Sequence, residues 1–145
     1  MVNQEQNQNH SETSVAWYKL ATLIARRERE KALSVYRLLS HSFQDKAYAL
    51  QLEGDILNSL DDQGAHDKYK QAAFLYKKEK RWIDAVAVCN HLLTLDPYNP
   101  EMLATSLSLY ILAEWKDRFD QQIKTVLLFG QVLGLGTADG KKCCF

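Results

Sequence analysis

The sequence is short of the residues that interrupt regular structure or staple small folds. Of its 145 residues only two are proline, three are cysteine and six are glycine. Three cysteines, one in the middle of the chain (Cys89) and two together near its end (Cys143 and Cys144), cannot form a disulfide framework, and they fit a reducing compartment. Neither sign of charge is in excess, with 18 basic against 18 acidic residues. No global field therefore draws the chain to nucleic acid or to an acidic membrane surface. There is no run of about 18 apolar residues and no basic-then-apolar leader, so neither a spanning helix nor a secretory signal is expected, and the cytoplasm is the expected location. Alternation of β-branched and polar residues is also missing, which excludes half-buried strands as the main element.

What is present is an ordinary globular composition, 46% hydrophobic and 25% charged, in a chain long enough to bury a core. Four of the six glycines fall in 130–142, and residues 1–12 are polar, Asn/Gln-rich and aperiodic. Both segments predict flexible tails, 1–13 and 131–145, around a helical body at 14–130. Inside that body the apolar spacing predicts about seven helices of about 12 to 17 residues with very short connectors, hence antiparallel neighbours. The first carries Val15, Leu20, Leu23 and Ile24, and the second Ala32, Leu33, Tyr36, Leu39 and Phe43. The others span 48–60, 65–78, 83–95, 102–115 and 119–129. Both prolines lie in one stretch, "LLTLDPYNPEM" at 92–102, where Pro97 ends one helix while Asn99 and Pro100 cap and open the next.

The pattern repeats. Ala32, Tyr36 and Leu39 recur 33 residues later as Ala65, Tyr69 and Ala72; Tyr76 and Tyr110 are 34 apart, and Trp82 and Trp115 are 33 apart. A period of that length covering a helix pair predicts a helical-hairpin solenoid. One unit, "HDKYKQAAFLYKKEKRWIDAVAVCNHLLTLDPYN" at 66–99, resembles the tetratricopeptide repeat. Tyr69, Ala72, Ala73 and Tyr76 stand at that family's first-helix positions, and Ala85, Cys89, Leu92 and Pro97 at its second-helix positions. The next unit keeps Leu103, Tyr110, Ile123 and Val126 but has Phe119 where a small residue is expected, as in a degenerate terminal repeat. Upstream the phase is ambiguous. The helix at 65–78 satisfies second-helix spacing through Ala65, Tyr69 and Ala72, and first-helix spacing through Tyr69, Ala73 and Tyr76. A regular array cannot hold both, so a local irregularity is expected near 60–64.

The resemblance implies an all-α fold, a right-handed superhelical stack of about three antiparallel hairpins whose concave groove binds a peptide or partner helix. Groove positions would be Asp67, Lys70, Phe74, Lys77 and Lys78 on one helix and Glu101, Ala104, Ser108, Ile111 and Leu112 on the next. The first row is basic with one aromatic, which suits an acidic segment with an apolar anchor. The Lys/Asn clamp that some members use on a chaperone's terminal carboxylate is absent.

Enzyme chemistry finds no support in the residues. His10, His41, His66 and His91 form no ligand-spaced pair, Cys89 stands at a packing position, and Asp61-Asp62 and Glu53/Asp55 read as helix-end and surface charges. "GLGTADG" follows a helix and lacks the strand that a nucleotide site needs. No catalytic residue, cofactor or metal is therefore expected. The "GKKCCF" end has no prenylation box, because Lys142 stands four from the end, so membrane attachment is expected only if Cys143 and Cys144 are acylated. The functional expectation is a non-catalytic binding module or adaptor. The alternatives are a small cytosolic chaperone of a bacterial secretion system, and a self-associating repeat unit whose Val126, Leu127, Leu128 and Phe129 are left uncovered.

Overall fold

In the computed structural model of the chain, residues 2–132 are described, with side chains from 12 to 131, Lys116 aside. Among them there are seven helices and no strand: α1 (Val2–Ala25), α2 (Arg29–Ser40), α3 (Lys46–Ser59), α4 (Gly64–Lys78), α5 (Trp82–Leu95), α6 (Pro100–Leu112) and α7 (Lys116–Val132). The all-helical class and the number of helices agree with the apolar periodicity. Helices overrun both expected tail boundaries. α1 begins at Val2, because the Asn/Gln-rich segment contains no glycine or proline to stop it, and α7 passes through Gly130, whose cost of about 1 kcal/mol does not end a helix. The remainder of the expected C-terminal tail, with Cys143 and Cys144, lies outside the described residues.

Four of the connectors share one design. Arg27, Asp61, Lys80 and Glu114 each take a left-handed conformation, with φ of 56°, 56°, 60° and 58°. In each case the N–H of the following residue reaches back five positions: Glu28 to the Leu23 carbonyl, Asp62 to Leu57, Arg81 to Tyr76 and Trp115 to Tyr110. This geometry satisfies the carbonyls that a helix end leaves open and turns the chain sharply into the next helix. The residue supplying the carbonyl is buried every time, at Leu23, Leu57, Tyr76 and Tyr110. The other two connectors, 41–45 and 96–99, instead start helices with side-chain caps. Asp45 accepts the Tyr48 N–H at 3.0 Å, and Asn99 accepts the Met102 N–H at 3.1 Å. Pro100 follows at the first helical position of α6, as the double-proline stretch predicts.

The spacing of the left-handed residues gives the phase ambiguity a physical form. Arg27 to Asp61 and Lys80 to Glu114 are each 34 residues, but Asp61 to Lys80 is only 19. Helix α4 therefore closes one hairpin and opens the next. The chain divides into two compact units, up to Ala72 and from Ala73, and the division falls inside α4. Its N-terminal half buries Ala65, Tyr69 and Ala72, and its C-terminal half Ala73 and Tyr76, the two overlapping spacings noted in the sequence. The irregularity expected near 60–64 is a shift in where the next helix places its first buried alanine. Ala65 comes four residues after its left-handed residue, whereas Ala32 and Ala85 come five after theirs.

In the first unit α1 packs on α2 and α2 on α3. The core is Leu20, Leu23, Ala32, Leu33, Tyr36, Ala47, Ile56, Leu57 and Tyr69. Gly54 is required there: a Cβ at that position would lie 2.8 Å from two ring carbons of Tyr69. The Tyr69 hydroxyl donates to Asp55 Oδ1 at 2.7 Å, which satisfies the polar end of a buried ring. Tyr36 likewise donates to the Ala49 carbonyl. Two ion pairs, Arg27 with Asp61 and Arg29 with Asp62, link the α1–α2 connector and the first residue of α2 to the α3–α4 connector. Phe43 closes one end, stacked on Trp17 at 6.1 Å between ring centres.

In the second unit α5 packs on α6 and α6 on α7. Its core comprises Tyr76, Ala85, Val86, Val88, Cys89, Leu92, Met102, Leu103, Leu109 and Tyr110, with Ser106 buried and its hydroxyl bonded to the Leu103 carbonyl. Tyr98 of the α5–α6 connector stacks on Phe129 of α7 at 4.6 Å.

Candidate binding surface

The predicted groove residues form two rows, one on each of two helices. On α4, Asp67 and Lys78 are exposed and Lys70 and Lys77 half-buried, while Phe74 leaves 66% of its surface to solvent. Positions 67, 70, 74, 77 and 78 share one side of a helix through spacings of three and four, away from buried Ala65, Tyr69, Ala72, Ala73 and Tyr76. On α6, Glu101 and Ala104 are exposed, Ser108 is half-buried, and Ile111 is 62% exposed. The Ser108 hydroxyl is occupied by the Thr105 carbonyl at 2.7 Å, so it is a weak recognition group. Neither Lys70 nor Glu101 is a free charge. Asp67 and Lys70 belong to the first unit, and Phe74, Lys77, Lys78 and the α6 row to the second.

The reactive residue types are built into packing. Cys89 is fully buried in α5, and burial pushes its thiol up to about 11, so at neutral pH it is the protonated, unreactive form. Burial, with the Asp55 hydrogen bond, also raises the Tyr69 hydroxyl, and burial raises that of Tyr36 to about 12. Asp62 is held below its ordinary value by the Gly64 N–H, which its Oδ1 accepts at 2.8 Å, and then by Arg29. Asp61 pairs with Arg27, so the Asp61-Asp62 pair is spent on a connector. Among the described residues, no three His, Cys, Asp or Glu side chains gather where they could hold a metal ion.

Sequence reasoning missed a cleft in the second unit. It encloses about 690 Å³ between α5 and the start of α7. Its apolar wall is Ile83, Val86, Ala87, Tyr110 and Trp115, and its rim is Asn90, Glu114, Asp117 and Arg118. Ile83 is 67% exposed although it follows directly on half-buried Trp82. The Tyr110 hydroxyl donates to Asn90 Oδ1 at 3.1 Å and fixes that edge of the wall. Trp115 lies over Tyr110 with ring centres 6.3 Å apart, and at the equivalent place one hairpin earlier Arg81 lies over the Tyr76 ring at 4.4 Å. The signal was in the sequence as Tyr110 and Trp115, but their spacings of 34 and 33 residues from Tyr76 and Trp82 read first as a packing period.

No protein-family profile matches this chain, and comparison with curated proteins and with solved structures finds no match. Function therefore rests on the residues themselves.

Proposed function

We propose that this chain is a tetratricopeptide-like, non-catalytic protein-interaction module of the cytoplasm, an adaptor that takes an acidic segment with an apolar anchor on the exposed rows of α4 and α6. Phe74 carries the proposal. A phenylalanine left largely in solvent, between Ala73 and Tyr76 that are buried, represents surface that folding did not use and a partner can. Lys77 and Lys78 lie three and four residues beyond it on the same side, which favours carboxylates around the anchor. Ile111 and Ala104 supply an apolar row of the same kind on α6. No described helix is long and apolar enough to cross a membrane, which is compatible with this location.

The test is a labelled peptide with a single Phe or Leu flanked by glutamates, titrated against the wild type and against a Lys70→Ala, Phe74→Ala, Lys77→Ala variant. Binding that the triple substitution reduces at least tenfold supports the module; equal binding by both proteins removes it. Self-association is the second reading, favoured by Leu127 and Leu128 of α7, which are 61% and 62% exposed. Sedimentation as a strict monomer up to high protein concentration would exclude it.

A further inference from the structure

We infer that the chain dimerises by exchanging α7, so that the α6 surface on which α7 packs in one copy takes α7 of a second copy instead. The hinge is the α6–α7 connector, 113–115, an Ala-Glu-Trp sequence with neither glycine nor proline. Ala113 and Glu114 are good helix formers, and the turn rests on one left-handed residue, Glu114, at a φ of 58°. With Glu114 in right-handed geometry, α6 and α7 join into one helix from 100 to 132, and the N–H groups of 114–118 reach the carbonyls of 110–114. An L residue prefers that geometry to the left-handed one by about five- to thirtyfold. Straightening is therefore favoured locally, and the packing of α7 on α6 opposes it.

The other left-handed connectors lead into helices that are held more firmly. Each of α1 to α6 buries at least two side chains, whereas none of the described side chains of α7 is buried. Its inward residues Phe119, Ile123, Val126 and Phe129 are half-buried, and Phe129 stacks on Tyr98, itself 57% exposed. The first turn of α7 also stands across an open cleft from α5. Helix α7 is thus the element that leaves its unit at least cost. Exchange restores its contacts between two copies, so what changes is the hinge and the concentration of α7 around α6. A short connector holds α7 at an effective concentration of about millimolar order. Two hinges relieved by about tenfold each divide that figure, which puts half-dimerisation at about 10 µM. The inference deepens the self-association reading above, with the docked side of α7 as the interface in place of its exposed leucines. Two α4 rows then share one particle, and on the binding reading the module becomes bivalent.

The test refolds wild type, Glu114→Gly and a Leu127→Asp, Leu128→Asp variant from urea at about 1 µM to about 1 mM and follows each by sedimentation velocity, with circular dichroism as the check on folding. Wild type and the double variant should dimerise with a midpoint near 10 µM. Glycine occupies the left-handed turn without strain and disfavours the joined helix, so Glu114→Gly should need at least about a hundredfold more protein. A wild type that stays monomeric throughout overturns the exchange, as does a Glu114→Gly that dimerises as readily as wild type. A dimer that survives Glu114→Gly and is lost in the double variant also overturns it, and leaves the exposed-leucine reading standing. Which α7 is docked is read with Tyr98→Cys and Phe129→Cys in a Cys143→Ser, Cys144→Ser background, bridged by a short bis-maleimide; Cys89 is buried and silent. Loss of the ring stack weakens docking equally within and between copies. On a denaturing gel the bridge should link two chains in the dimer and close within one chain in the monomer. A dimer whose bridges all stay within single chains overturns the exchange.

Discussion

Gly54 and Gly130 both sit inside helices, and helix propensity alone predicts that alanine stabilises either position by up to about 1 kcal/mol. The structure separates them. At Gly54 a Cβ would meet Tyr69 Cδ1 and Cε1 at 2.8 Å and Cγ at 3.2 Å. The ring cannot swing aside freely, because it is 1% exposed and its hydroxyl is tied to Asp55. Accommodating the methyl costs about 1–3 kcal/mol as overpacking, and about 1 kcal/mol more if the hydroxyl bond breaks. Set against the propensity gain, Gly54→Ala should destabilise by about 2 kcal/mol. At Gly130 nothing lies within 4 Å of the added atom, so Gly130→Ala should stabilise by roughly 0.5–1 kcal/mol. Urea unfolding followed by circular dichroism reads both, and the opposite signs are the point of the comparison. Trimming the obstacle should weaken the penalty, so Gly54→Ala should cost less in a Tyr69→Leu background than in wild type. If Gly54→Ala stabilises the protein, or if its cost is the same with and without Tyr69, the account of α3 against α4 is wrong.

Lys80 holds a left-handed φ of 60° at no evident benefit to its side chain, so Lys80→Gly should raise stability by about 1 kcal/mol, and an unchanged urea midpoint would show that the connector relaxes without strain. Asn99→Ala removes the oxygen that caps α6 and should cost about 1 kcal/mol, with Asn99→Asp or Asn99→Ser recovering most of it. Asp62 has a folded pKa below its ordinary 3.8, so its contribution is present above that value and is lost as the pH falls through the lower folded one. Asp62→Asn should therefore flatten the acid limb of the stability profile below about pH 4, while leaving the neutral and alkaline limbs in shape; an unaltered acid limb would mean the Gly64 and Arg29 contacts do not act on Asp62 in solution.

Much of the fold was legible because helices announce themselves locally. The buried positions Leu20, Leu23, Ala32, Leu33 and Tyr36 are the apolar stripes of α1 and α2, and the cap at Asn99 with Pro100 after it marks a boundary without reference to anything distant. The left-handed connectors were harder to place, since Arg27, Asp61, Lys80 and Glu114 are not the glycines that such positions prefer. Helix ends beside these connectors were accordingly misjudged by up to three residues, as at 113–115, which belongs to the connector before α7. The candidate sites divide in the same way. Phe74 could be picked out by its spacing from Ala73 and Tyr76 on a single helix. The cleft could not, because it is assembled from α5, Tyr110 of α6 and the first residues of α7, and no local pattern brings Ile83 beside Trp115.

The sequence by itself determined that this chain is helical, that it repeats with a period near 34, and that α4 has to serve two phases, because these follow from the order of apolar, small and breaking residues along one dimension. Only the tertiary structure decided how the conflict is resolved. Ala65 follows the left-handed Asp61 one residue sooner than Ala32 and Ala85 follow Arg27 and Lys80, and the two halves of α4 bury their apolar residues in different units. It also decided that Gly54 exists for the ring of Tyr69 and that a cleft opens between Ile83 and Trp115, since contacts between residues far apart in the chain are set by volume, and volume is felt only once the helices are packed.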